Sequence, residues 1–169
     1  MAAGNTYTPI ATNTLGSSQA SVTFSSFSGY TDLVLVCSII SVGTPGGQSS
    51  SLQFNSDTGS NYSYTRLDGD GTTAASGRSS NNTTIYLSGN GEASTTVPST
   101  TITQIMNYSN TTTYKTILSR GSWNGTSKET DTRVGLWRNT NAITSISILA
   151  YASNFASGST FSLYGILAA

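Results

Sequence analysis

Seven carboxylates and one thiol, with no histidine anywhere, are the acid, base and nucleophile candidates in this chain. Without histidine there is no Ser-His-Asp or Cys-His arrangement. The usual general base near neutral pH and the commonest metal ligand are missing too. The thiol, Cys37, ends the apolar run Leu33-Val34-Leu35-Val36-Cys37 with no flanking base or cation to lower its pKa. It reads as a small core residue rather than a nucleophile. What remains is carboxylate chemistry, since two carboxylates at a defined separation are enough to hydrolyse a glycoside. However, most of Asp32, Asp57, Asp68, Asp70, Glu92, Glu129 and Asp131 fall in turn-forming clusters, where aspartate is favoured by bonds to nearby amides. No enzyme, no cofactor and no metal are therefore expected. Asp68-Gly69-Asp70-Gly71-Thr72 superficially resembles a calcium loop, but Thr73 stands at the required glycine and Ser79 at the terminal bidentate glutamate. A hairpin turn is the better account. Gly89-Asn90-Gly91 is likewise read as a turn, because it lacks the lysine and following helix of a phosphate loop.

Binding is the other chemistry to look for. Trp123 stands in a Gly/Ser/Asn context, Gly121-Ser122-Trp123-Asn124-Gly125. A tryptophan at a loop tip can stack on a sugar or fill a partner's pocket, or fold back onto the edge of the core. Trp137, Tyr62, Tyr64 and Tyr86 fall in strand-like segments. Residues 1–20 are polar, with Tyr7, Pro9, Ile10 and Leu15 as their only anchors. They read either as an arm reaching a neighbouring subunit, with Tyr7, Pro9 and Ile10 as contacts, or as a first strand.

The elements that must position these residues are strands. Ser and Thr supply 58 of 169 residues, and only 8% are charged, so hydroxyls and amides solvate the surface. Nine Tyr, five Phe and two Trp spread along the chain argue against disorder. Apolar residues alternate with polar ones, the period of a half-buried strand. Strands are expected at 21–26, 31–42, 52–54, 62–67, 85–87, 99–108, 112–120, 131–138, 143–151 and 159–167. The segment 31–42 is expected to be central and buried on both faces. Turn clusters lie at Gly43-Thr44-Pro45-Gly46-Gly47, Asn55–Gly59, Asp68–Gly71, Ser88–Gly91 and Asn139–Asn141, and 72–83 reads as a long loop or one short turn. The expected fold is all-β: residues 21–169 form one antiparallel β-sandwich, jelly-roll-like, of about nine or ten strands. Seven basic residues balance seven acidic ones and are scattered, which argues against nucleic acid and anionic membranes. Met1–Asn5 carry no basic or apolar stretch, so no secretory signal is expected. No run approaches the roughly 18 apolar residues that span a bilayer. Near-zero net charge favours association.

Three segments carry a resemblance. Ser21-Val22-Thr23-Phe24-Ser25-Ser26 with Tyr30-Thr31-Asp32-Leu33-Val34-Leu35, then Ile143-Thr144-Ser145-Ile146-Ser147-Ile148, are similar to strands of small tailed-bacteriophage virion proteins. The ending Asn154-Phe155-Ala156-Ser157-Gly158-Ser159-Thr160-Phe161-Ser162-Leu163-Tyr164-Gly165-Ile166 resembles the way many such proteins close. The resemblance covers both ends and hardly touches 44–130. It implies a jelly-roll sandwich located in the virion, made in the host bacterial cytoplasm, with no catalytic residues to transfer. The expected role is a capsid decoration (cement) protein that binds the major capsid protein and its own copies, as a homotrimer, and stabilises the outer head shell. The alternative is a tail-fibre or receptor-binding tip that recognises host surface glycan.

Overall fold

The computed structural model describes residues 6–43, 50–87, 94–124 and 128–167. The expected turns at 44–47 and 88–91 lie outside the described residues. Twelve strands form: β1 (Tyr7–Thr14), β2 (Ser21–Ser25), β3 (Asp32–Ile39), β4 (Ser50–Phe54), β5 (Tyr62–Gly69), β6 (Ala74–Asn82), β7 (Ile85–Tyr86), β8 (Ser99–Ile105), β9 (Lys115–Asn124), β10 (Lys128–Trp137), β11 (Ser145–Ala150) and β12 (Thr160–Ile166). Among the described residues there is no helix. The all-β sandwich is therefore what forms, with twelve strands in place of nine or ten.

One sheet has eight strands in the order β1-β12-β3-β8-β9-β10-β5-β6, and the other has four, β2-β11-β4-β7. Every pairing is antiparallel. Alternation decides which face each residue takes. In the large sheet Leu33, Leu35, Cys37, Phe161, Leu163, Ile105, Ile117 and Trp137 turn inward. They meet Val22, Phe24, Leu52, Phe54, Ile85, Ile146 and Ile148 from the small sheet in one buried cluster. β3 sits in the sheet interior, and the outward-facing Val34 is also buried, as expected for a central strand.

Three aromatic rings tie the sheets together. Trp137 stacks on Tyr62 at 6.3 Å and tilts against Phe54 at 5.5 Å. The Tyr62 hydroxyl donates to Phe54 O and accepts from Phe54 N–H. The layers pack tightly at Gly135, where a Cβ would lie 2.7 Å from Ile85 Cγ2.

One alternative is decided and one expectation changes. Residues 7–14 are a first strand, paired with β12 along the sheet edge. The stretch read as a loop at 72–83 is largely β6, paired with β5 over nearly its whole length. The β5–β6 connection is the hairpin turn expected at Asp68–Gly71. The Asp70 carboxylate accepts from the Thr72 and Thr73 amides, and Gly71 takes a φ of 90°.

Candidate functional site

The four residues singled out as contacts do not come together. Tyr7 and Pro9 lie exposed on edge strand β1, while Ile10, at a bulge in that strand, packs against the core. Trp123 is not at a loop tip. It belongs to β9, turns inward and is 1% exposed, so it has no free ring face for a sugar. Its Nε1 has no hydrogen-bond partner among the described residues.

Between β8 and β6 the outer face of the large sheet is uncovered among the described residues. On that outer face the register lines up Ile102, Arg120, Thr132 and Leu67 in one row, with Leu118, Val134, Thr65 and Arg78 in the next. Leu67 is 64% exposed, Val134 53% and Leu118 40%. These aliphatics sit among threonines and serines and form the kind of contiguous patch that marks an interaction surface. Three shallow grooves of about 520, 240 and 230 Å³ cross this face between β8 and β6. Arg78 and Arg120 form no hydrogen bond or ion pair among the described residues. They stand about three strand spacings apart, roughly 14 Å, on either side of the aliphatic centre.

The inner face of the same sheet differs where it runs past the small sheet. β7 is the last strand of the small sheet and reaches only β5. Beyond it, the inner faces of β5 and β6 form a ledge. Arg66 pairs with Asp68 along β5, and Arg133 with Asp131 along β10. Spacing of i, i+2 puts each pair on one strand face, and the register sets Asp68 opposite Asp131 and Arg66 opposite Arg133. Like charges face one another across the strands, and each is neutralised within its own strand. Asp131 and Arg133 are buried, whereas the Arg66 and Asp68 side chains keep 25% and 14% exposure. Arg66 lies across Gly77 of β6, where a Cβ would come 3.1 Å from its Nε.

Tyrosines border the ledge. Tyr64 meets Tyr86 edge-on at 5.9 Å, and Tyr86 meets Tyr151 edge-on at 5.6 Å. The Arg133 guanidinium lies 5.4 Å above the Tyr64 ring. Burial lowers the Arg133 pKa, against the opposing pull of Asp131. Burial, with Tyr151 and Tyr64 beside it, raises that of Tyr86. Burial likewise pushes the Cys37 thiol far up, which suits a core residue and not a nucleophile. The Arg-x-Asp and Asp-x-Arg spacings are the sequence signal that could have pointed to the tetrad.

No family model, no curated protein and no solved structure matches this chain.

Proposed function

We propose that the protein is a non-enzymatic virion component of a tailed bacteriophage, a decoration protein that docks on the outer head shell and reinforces it. The phage setting rests on the resemblance of residues 21–35, 143–148 and 154–166. The docking role rests on one observation, the stretch of the outer face between β8 and β6 that is uncovered among the described residues, with Leu67, Leu118 and Val134 exposed on it. A broad face suits contact with a shell better than a cleft would. Aliphatic residues flanked by two arginines that have no partner among the described residues match the composition of interface centres, where arginine is enriched. Tyr7 and Pro9, on the open edge strand β1, are the residues offered to neighbouring copies in a trimer. Binding the assembled shell and not the free capsid subunit shifts the equilibrium toward the shell by mass action.

The test mixes purified protein with expanded heads of the phage that encodes it and follows co-sedimentation and the temperature at which heads release DNA. Wild-type protein sediments with heads and raises that temperature. Val134→Glu folds normally, since the side chain is exposed, and loses both effects. Wild-type protein that leaves heads unbound and unchanged refutes the reading.

A further inference from the structure

We propose that the ledge on the inner face of β5 and β6 binds a neutral saccharide chain. This site is separate from the outer face and does not depend on which partner that face takes.

Three features of the ledge point to the ligand class. The first is the row of rings. Tyr64, Tyr86 and Tyr151 run from the large sheet over the edge strand of the small one, packed edge-on at 5.9 and 5.6 Å, so that the row ends in Tyr151. Tyr151 is 54% exposed, and so presents a free ring to the apolar C–H face of a sugar. The second is the mixture of donors and acceptors beside the rings. The partly exposed Arg66 guanidinium and Asp68 carboxylate stand on the same face as Tyr64. A sugar hydroxyl both donates and accepts, and a guanidinium beside a carboxylate answers both needs with charge-assisted bonds. The third is charge balance. Each of the two guanidiniums has its own carboxylate, so nothing is left over to hold an anion. A phosphorylated or uronic-acid ligand would find no unpaired cation here, whereas a neutral glycan needs none. Ala75 and Ser79 on β6 are small, and the Arg66 side chain lies across Gly77 between them, so the ion pair itself forms the floor of the ledge.

The experiment titrates the full-length protein by calorimetry with maltohexaose, cellohexaose and yeast mannan, and with polygalacturonate as the anionic comparison. At least one neutral saccharide is expected to bind, and Tyr151→Ala and Asp68→Asn should each weaken it about tenfold or more, the effect of one good contact. Tyr114→Ala removes an equally exposed tyrosine outside the ring row and should leave binding unchanged. Far-UV circular dichroism confirms that each variant is folded. No binding of any neutral saccharide at about 10 mM, where even millimolar affinity registers, overturns the proposal. So does binding that both ledge variants leave intact, or a preference for polygalacturonate.

Discussion

Tyr30 lies flat against Gly165, and replacing that glycine with alanine tests whether the packing is as tight as the distances say. A Cβ on residue 165 would come within 2.2, 2.3 and 2.5 Å of Tyr30 Cδ1, Cγ and Cε1. Ordinary carbon contacts lie at about 3.5–4.0 Å, so something must move by more than about 1 Å. The strand cannot do so easily. Gly165 is paired with Leu33 on one side and Thr8 on the other, and Thr31 N–H bonds to Ile166 O at 2.8 Å. The ring must therefore leave, and Tyr30 is only half-buried, so a way out exists. Overpacking of this kind costs about 1–3 kcal/mol. The stiffer unfolded chain of alanine returns about 0.4–1 kcal/mol. The net loss for Gly165→Ala is then about 1.5 kcal/mol, read as a lower guanidinium midpoint with an unchanged slope. In a domain of this size it also lowers Tm by about 3–6 °C. The decisive measurement is the double-mutant cycle with Tyr30→Ala. Once the ring is gone, Gly165→Ala should cost less than about 0.5 kcal/mol, so the two changes are strongly non-additive. A silent Gly165→Ala, or one that costs the same with and without Tyr30, refutes the packing argument.

Two further predictions concern buried polar atoms. Burial opposes the charge on Asp57, but hydrogen bonds from Trp137 Nε1, Asn61 and the Gly59 amide outweigh it and hold the carboxyl below its usual range. Because the folded pKa is the lower one, the stability this group contributes is complete above the unfolded value of about 3.9 and is lost as pH falls through the folded value; Asp57→Asn should flatten the loss of stability below about pH 4 in urea titrations, and an unchanged acid limb would contradict this. The two tryptophans should also differ. Trp137→Phe breaks a 2.7 Å bond to a carboxylate, whereas Trp123→Phe removes an N–H that has no partner among the described residues, so the first should destabilise by about 2 kcal/mol more than the second; equal urea midpoints would show that Trp123 Nε1 is satisfied after all.

Legibility in the sequence tracked the strength of the apolar signal. β3, β11 and β12 are readable because Leu33, Ile146, Ile148, Phe161 and their alternates turn inward at every second position. β6 reads Ala-Ala-Ser-Gly-Arg-Ser-Ser-Asn-Asn. Its residues are exposed or half-buried and none is a large apolar one, so no alternation marks it, and backbone pairing with β5 is what makes it a strand. Trp123 was obscured in a different way. Its glycine, serine and asparagine neighbours suggest a turn, yet Gly121 lies inside a strand, in tight space where a Cβ would come 3.2 Å from the Asp131 carboxylate. The ledge depends on register. Arg66-x-Asp68 and Asp131-x-Arg133 each predict a charged pair on one strand face, but only the alignment of β5 with β10 brings the four together.

That alignment also explains how one sheet can carry two different surfaces. A strand presents alternate residues to opposite sides, so Leu67 and Val134 face outward while their immediate neighbours Arg66, Asp68 and Arg133 face inward. Along β5 and β10 the outer side carries exposed aliphatics among threonines, and the inner side carries arginines and aspartates that neutralise one another. Had β5 slipped by one residue against β10, Arg66 and Asp68 would turn to the outer side and Leu67 inward, away from the partners each now has. Trp137 and Tyr62 prevent that slip, because they close the same β5–β10 ladder at its far end, and there they are buried without remainder against Phe54. The aromatic anchor that holds the sandwich together is thus also what keeps the two surfaces distinct.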